Sequence, residues 1–204
     1  YVVRERPASA FVSTEASGGD AIGVYAVSAF TDRGDTEANR KDDMLLSIAV
    51  AAVNRRLAER ANTEDPPFRA ASLSWGSLLD SAYYAGASIA VTPQSWKPGL
   101  QAVEQEWRRA LLYGFTRDEV DQQLAILRTV QTNGAAREAT RSSDLLAETL
   151  LFSIQNDVVF TAPSSNLSRF DAWSKSARRE TVLEAFQRRM KAPAPLIVMF
   201  SSIE

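Results

Sequence analysis

Apolar residues recur at helical spacing through two consecutive segments between Trp96 and Gly134, and this pattern dominates the chain. Polar and charged residues fill the positions between them, as in amphipathic helices that bury one face. We therefore predict two helices joined by a short turn. The apolar face of the first helix carries Leu100, Val103, Trp107 and Leu111, and that of the second carries Val120, Leu124, Leu127 and Val130.

The turn between these helices carries its own signals. Gly114 suits the left-handed position that ends the first helix without a Cβ clash. Thr116 and Glu119 have the spacing of a capping box, so the second helix is predicted to begin just after the turn. Asp118 and Asp121 complete an acidic cluster. Acidic side chains in a first helical turn complement the helix dipole, so we interpret the cluster as capping and not as a metal site.

The remaining patterns complete the secondary structure. Period-two alternation predicts strands and the 3.6-residue period predicts helices. A turn is predicted at 18–20, and the prolines at 66–67 end the first long helix because proline cannot extend it. The predicted strands cover 8–16, 22–30, 68–79, 81–92 and 195–200, with a hairpin tip at Asp80, and the further helices cover 37–60, 145–154, 164–173 and 179–191.

These elements predict the α+β fold class. A strand that arrives last, after the helices, must insert beside earlier strands, which indicates an antiparallel-rich sheet with helices packed on one side. Small residues such as Gly86, Ser88 and Ala90 recur on one side of the strand at 81–92. They imply that something packs closely on that face.

Composition narrows the function classes. The chain has 204 residues, enough for one domain or at most two small ones. Its formal net charge of −2 does not indicate a nucleic-acid partner. No apolar run approaches the ~20 residues that span a bilayer. Cysteine and histidine are both absent, which excludes a Ser–His–Asp triad, a cysteine nucleophile and a histidine-based zinc site within this chain.

Two charged clusters stand out. Arg40-Lys-Asp-Asp43 has the composition of a solvated helix start, and we do not interpret it as a phosphate site. Arg55, Arg56, Arg60 and Arg69 crowd the end of the long helix and the start of the next strand. Cations at a helix C-terminus are expected for structural reasons. The alternative is a contact to a peptide carboxylate or to a partner domain.

The order of these elements and three of their motifs resemble a non-catalytic domain of the pitrilysin/insulinase zinc metallopeptidases, the inverzincins. The motifs are Asn54-Arg-Arg-Leu-Ala-Glu-Arg60, Val91-Thr-Pro-Gln-Ser-Trp96 and Gly114-Phe-Thr-Arg-Asp-Glu-Val-Asp121. The resemblance covers about residues 8–202. It implies a metallopeptidase-like domain, similar to those of the mitochondrial processing peptidase, that is repeated two or four times around a peptide chamber.

The catalytic copy in that family carries a His-x-x-Glu-His helix and a downstream glutamate that together bind zinc and activate water. This chain has no histidine, so it cannot hold the family's zinc. The resemblance therefore implies no cofactor in this chain and zinc in the catalytic domain of a parent protein. We expect 1–204 to be one non-catalytic domain of a longer polypeptide, with 1–7 as a linker, since the chain starts at Tyr1 without methionine or signal-peptide architecture.

Some non-catalytic copies in the family supply an arginine and a tyrosine that assist substrate binding from across the chamber. Here Arg60 is followed by Phe68, where that pattern prefers tyrosine, and a phenylalanine cannot donate the hydrogen bond. We therefore do not expect the pair in this copy, and the second domain of a four-domain bacterial protease fits better. Arg56, Arg60, Phe68 and Arg69 are the candidates for substrate or interdomain contacts.

The resulting expectation is a structural domain of a zinc endopeptidase, inactive alone. It packs against the catalytic domain of the same polypeptide and helps to enclose a peptide substrate, to which an exposed strand edge could pair. From the four-domain resemblance and the lack of cysteine we expect a bacterial periplasmic location. Two alternatives stay open: a non-peptidase scaffold subunit of the same fold, and an independent enzyme that uses carboxylates alone, such as a glycosidase pair.

Overall fold

The computed structural model of the chain describes residues 9–14, 20–78, 81–191 and 196–201. The predicted turn residues 18–19, the hairpin tip at Asp80, Pro195 and the linker 1–7 lie outside these ranges. The described elements are, in order, β1 (Ser9–Thr14), β2 (Ala21–Ala29), α1 (Glu37–Ala61), β3 (Ala70–Leu78), β4 (Ala82–Ala90), α2 (Trp96–Tyr113), α3 (Arg117–Ala136), a short 3-10 helix (Glu138–Thr140), α4 (Ser143–Gln155), α5 (Pro163–Ser174), α6 (Arg179–Met190) and β5 (Leu196–Ser201).

The strands form one five-stranded sheet in the order β1-β5-β2-β4-β3. The last strand inserts between β1 and β2, parallel to β1 and antiparallel to β2. The sequence predicted that it would lie beside earlier strands, but not which strands or in which orientation. The pairs β2–β4 and β4–β3 are antiparallel, with Ile22 opposite Ile89 and Leu73 opposite Ala87. The α+β fold class is confirmed.

The hydrophobic core lies between one face of this sheet and the helices α1, α2, α3 and α6. Its strand residues all point to the same side, and α1 supplies a continuous apolar stripe to it, as its helical period predicted. Burial of this kind stabilises by about 25 cal/mol per Å² of apolar surface. The largest fully buried side chains include Ile22, Leu46, Ile48, Leu57, Phe68, Ile89, Phe186 and Met190.

The joint between α2 and α3 is as predicted in its main features. Thr116 and Glu119 form the capping box, in which each side chain bonds the other residue's backbone N–H. Gly114 has φ 70° and ψ −138°, a positive-φ conformation that only glycine adopts readily, although its ψ lies outside the left-handed helical well. Val120 is buried, but Val130 is 59% exposed, so the predicted apolar face of α3 does not stay covered to its end.

One helix start differs from the prediction of a solvated surface. Arg40 pairs with Asp35, and Asp42 and Asp43 pair with Arg33. Asp42 also bonds Arg188 of α6, and its side chain is only 18% exposed. The segment 40–43 is thus part of a half-buried ion-pair network that ties α1 to its preceding loop and to α6.

Candidate functional site: the open face of the sheet

The second face of the sheet carries none of the described helices. Every strand residue of the core cluster lies on the first face, so the alternate residues point away from the core. No described residue on this open face is charged, whereas the solvated face of an antiparallel sheet is commonly polar. Its described members include Phe11, Gly23, Tyr25, Val27, Ser72, Ser74, Gly76, Tyr84, Gly86, Ser88 and Val198.

Two tyrosine rings cover glycines on this open face: Tyr25 covers Gly23 and Gly86, and Tyr84 covers Gly76. A Cβ built on Gly86 would come within 2.4 Å of the Tyr25 ring and 2.6 Å of the Val24 carbonyl oxygen, and one on Gly23 within 2.3 Å of the same ring. The Tyr84 ring covers Gly76 in the same way, at 2.9 Å. The close packing that the small residues of β4 implied is therefore supplied by aromatic side chains of the sheet itself, as in other sheets where aromatics cover glycines.

These features make the open face flat, uncharged and partly apolar. The Tyr25 hydroxyl lies 3.3 Å from the Ser88 Oγ, and Phe11 at the β1 edge is 60% exposed. Aromatic rings contribute apolar area, and hydroxyls donate or accept hydrogen bonds without charge preference. The described residues of this face include no carboxylate, histidine, cysteine, lysine or arginine.

The candidate Arg56 is committed to a half-buried network inside the domain. Its Nε and Nη2 donate to the two carboxylate oxygens of Glu119, at 2.5 and 2.8 Å. Nη1 donates to Glu106 at 3.2 Å, and Nη2 also donates to the Gly114 carbonyl at 3.1 Å. The Arg56 guanidinium stands over the Phe115 ring at 5.4 Å. Arg56 thus fixes the turn between α2 and α3 to α1, through a bidentate pair of the strong type.

The same network sets the electrostatics of Glu119. Burial by itself would raise the pKa of the Glu119 carboxyl, but the hydrogen bonds from Arg56 and from the Thr116 N–H, with the Arg56 charge, lower the pKa to about 2. The acidic cluster of this turn is accounted for by capping, since Glu119 closes the capping box and Asp121 pairs with Arg117. Within the described ranges, no three Asp, Glu, His or Cys residues gather as a metal site would require.

The other predicted contact residues divide into two groups. Phe68 is 1% exposed and packs in the core, so its ring is occupied within the domain. Arg60 is half-buried in the last turn of α1, and Arg69 is exposed just before β3, where its N–H donates to the Ala90 carbonyl at 2.8 Å. In the described part of the chain no carboxylate pairs with Arg60 or Arg69. These two arginines stay available as contact candidates.

The β3 edge of the sheet is partly closed. Asn54 of α1 accepts a hydrogen bond from the Leu73 N–H at 2.6 Å and donates to the Leu73 carbonyl at 3.1 Å. The amide side chain therefore takes the two backbone groups that an added strand would use at the middle of β3. Asn54 lies in a motif quoted above, but nothing in its sequence signalled this contact to a strand 19 residues away.

Sequence reasoning did not identify the open face as a surface of interest. The signal was present as a lack of charge at every position of β2, β3 and β4, on both sides of each strand. It became meaningful only once strand order and register had placed alternate positions on one side. No helix of the described residues has both the length and the apolar character to cross a membrane.

Comparison with known proteins identifies the class of the fold. No protein-family model and no curated protein matches the chain by sequence. Solved structures do match, and they show that the chain has the fold of the M16, or pitrilysin/insulinase-like, peptidase domains, which include inactive domains. The predicted resemblance is thereby confirmed at the level of the fold.

Four of these structures, two of them of the same protease, show how much of each chain the likeness covers. The periplasmic protease PqqL from Escherichia coli superposes with a TM-score of 0.85 at 15% identity, over 98% of this chain. The chain spans 22% of PqqL. It spans 43% of the first half of PqqL, which was solved separately. An inactive M16 peptidase domain from Pseudomonas fluorescens gives 0.64 at 15% identity, covering 98% of this chain and 45% of that one. The ferredoxin protease FusC, solved in complex with Arabidopsis ferredoxin, gives 0.74 at 17% identity, covering 98% of this chain and 23% of FusC.

Proposed function

We propose that this chain is a non-catalytic, chamber-forming domain of a zinc metalloendopeptidase. The observation that carries the proposal is the M16 peptidase domain fold in a sequence without histidine, which has the architecture of the protease domains but not their zinc ligands. The domain contributes a wall to the peptide chamber and packs against the zinc-bearing domain of the same polypeptide. Its own residues perform no bond cleavage.

Zinc belongs to the parent protein in this proposal and not to this chain. The residues present do not fit the metal: the sequence lacks histidine and cysteine, and the carboxylates of the α3 start are used in capping and ion pairs. We derive no reaction step from this domain. The parent's catalytic domain supplies the water-activating zinc site that the fold family implies.

The same likeness supports a proposal for the position of this domain in the parent. The chain spans slightly less than half of the first half of PqqL. A non-catalytic domain of that size in a first half fits the second domain of a four-domain bacterial protease. PqqL is periplasmic, and we propose the same compartment for this protein.

The substrate-facing surface in this proposal is the open face of the sheet, with Arg60 and Arg69 as additional contacts. An uncharged surface of tyrosine, serine and glycine allows a peptide to slide or reorient without a fixed charge preference. Strand addition in the middle of β3 is disfavoured because Asn54 holds the backbone groups of Leu73 there. The two arginines can attract acidic groups of a bound peptide.

Metal content and peptide hydrolysis test the proposal. We expect the full-length gene product to contain stoichiometric zinc and to cleave unfolded peptides, and we expect the 204-residue chain alone to do neither. Tight zinc with hydrolysis in this chain alone would overturn the proposal. A full-length product without zinc or hydrolysis would also overturn it and would favour the scaffold-subunit alternative.

A charge placed on the open face tests the wall role separately. Ser72→Asp in the full-length protease is expected to raise KM for an acidic peptide several-fold with kcat unchanged, because the added charge would repel the peptide. Ser72 is exposed on that face, and its side chain makes no hydrogen bond to another described residue. Ser165→Asp, at an exposed position of α5, is the matched control and should leave KM unchanged. Equal KM values for both variants would remove the open face from the substrate path.

A further inference from the structure

The helix α4 exposes most of its large apolar side chains, whereas Leu146, Thr149 and Ser153 form its less exposed side. Ser153 is buried and Thr149 half-buried, and their hydroxyls donate back to the carbonyls of Thr149 and Leu145 in the same helix. The large apolar residues on the remaining sides of the helix are between 47% and 70% exposed. They are Leu145, Leu150, Leu151, Phe152, Ile154 and, just beyond the helix, Val159. A helix with apolar residues around most of its circumference is normally buried.

The apolar surface exposed by α4 and Val159 is large for a single domain. A large apolar side chain carries on the order of 150–250 Å², so the six exposed fractions correspond to roughly 600 Å². That is at the upper end of the about 300–600 Å² of the largest patch on a typical monomer, and it approaches the about 800 Å² that each partner gives to a stable interface. The area is adequate for docking another folded surface.

The end of α4 is fixed and not frayed. Asp157 has φ 50°, and the N–H groups of Asp157 and Val158 donate to the carbonyls of Ile154 and Ser153 at 3.4 and 2.9 Å. These are the two hydrogen bonds of a Schellman motif, which stops a helix and sets the direction of the next residues. The apolar residues on both sides of the turn are thus held in a defined relation.

The segment after the turn is clamped through its backbone. The Val159 N–H donates to the Asp35 carboxylate at 2.6 Å, and the Val159 carbonyl accepts from Arg40 Nη2 at 2.8 Å. Asp35 and Arg40 also pair with each other. The polar groups of this residue face the domain while its side chain is 63% exposed, so the domain presents the apolar side chain outward.

The charges around this surface indicate the occupant. Between 143 and 160 the sequence has the acids Asp144, Glu148 and Asp157 and no lysine or arginine, and Arg40, which contacts the Val159 carbonyl, is paired with Asp35. In a symmetric pair of two copies these acids would face like charges, which disfavours association. A surface with an apolar centre and a basic rim would complement them.

We propose that the α4 surface, defined as the outward residues of α4 with Val159, docks against another domain of the parent polypeptide, which presents an apolar patch rimmed by lysine or arginine. The inference rests on the proposed function, because the occupant belongs to the same longer chain. The likeness to structures in which this fold spans only 22% or 43% of the chain provides the additional polypeptide that such docking needs.

Photo-crosslinking in the full-length gene product tests this docking. The residue p-benzoylphenylalanine replaces Phe152 or Ile154, both exposed, so that folding is retained, and Gln122, an exposed polar position of α3, is the matched control site. Mass spectrometry is expected to find crosslinks from positions 152 and 154 to residues of the same polypeptide outside 1–204, at yields several-fold above those from position 122.

Two outcomes overturn the docking: yields from positions 152 and 154 no higher than from position 122, or crosslinks that join two copies into a covalent dimer. Failure of the proposed function gives a different result. Crosslinks into another domain of a product without zinc-dependent hydrolysis would keep the docking and overturn the protease assignment. Zinc-dependent hydrolysis without these crosslinks would overturn the docking alone.

Discussion

The substitution Glu119→Gln removes one charge from the network that joins α1 to the turn between α2 and α3. Arg56 then faces a neutral amide in place of a carboxylate that accepts two of its hydrogen bonds, at 2.5 and 2.8 Å. Glu106, 5% exposed, remains as the other partner of Arg56, so the guanidinium is not left wholly unpaired. The variant therefore measures the Glu119 charge with little change in shape.

The size of the effect follows from the pKa of Glu119. Each unit by which a folded-state pKa departs from its unfolded value corresponds to about 1.4 kcal/mol. A fall from the ordinary 4.5 to about 2 gives an upper bound of about 3 kcal/mol. The Glu119 side chain is 22% exposed, and solvent screening reduces the bound, so we expect about 2 kcal/mol at neutral pH.

The direction of the pKa shift of Glu119 determines the pH range in which its charge stabilises the fold. A carboxyl whose folded-state pKa is depressed stabilises the folded state fully above its unfolded pKa, here 4.5, and loses that contribution as pH falls toward about 2. The difference in free energy of unfolding between the wild type and Glu119→Gln should thus be constant from pH 7 to 5 and should shrink between pH 4.5 and 2.

Urea unfolding followed by circular dichroism at pH 7, 5 and 3 measures this difference. Asp118→Asn is the matched control, because Asp118 is exposed in the same first turn of α3, and we expect it to cost below about 0.5 kcal/mol. A Glu119→Gln penalty that is absent at pH 7, or that is the same at pH 3 as at pH 7, would refute the assigned role of the ion pair.

Three further substitutions test local geometry by the same unfolding assay. Gly86→Ala should lower the free energy of unfolding by about 1–3 kcal/mol, because its Cβ would meet a β2 carbonyl oxygen at 2.6 Å, which cannot move aside. Asn54→Leu should cost about 1–3 kcal/mol, because it leaves the Leu73 N–H and carbonyl without their partner. Asp157→Val should cost about 1–2 kcal/mol, because a β-branched residue is strained at φ 50°. The controls are Ser88→Ala for the first variant, Gln101→Leu for the second and Asp157→Asn for the third, and each should stay within about 0.5 kcal/mol of the wild type. A test variant whose free energy of unfolding also stays within about 0.5 kcal/mol of the wild type would contradict its explanation.

Local signals in the sequence predicted the elements well. The capping box at Thr116 and Glu119 and the positive φ of Gly114 are determined within a few residues, so they could be identified without the fold. The long α1 helix followed from its apolar period. The insertion of β5 beside β2 followed from topology, since a single buried strand at the end of the chain needs partners on an existing sheet.

Contacts between residues that are far apart in the sequence could not be predicted from it. Arg56 was assigned correctly to a helix end, but its carboxylate partner Glu119 is 63 residues away and was assigned only to a cap. Phe68 was a contact candidate because of its place in a family pattern, whereas the fold buries it in the core. A period identifies which residues share a face but not whether another element covers that face.

That limit explains α4 as well. Its apolar positions have the same composition as those of a buried helix, and only the structure shows that Phe152 and Ile154 face outward. The open sheet face is the complementary case, because its serines and glycines have the composition of solvated strands but carry no charge. The two uncovered surfaces have different chemistry, so the proposals give them different roles: docking for the apolar α4 surface, and transient contact with varied peptides for the neutral sheet face.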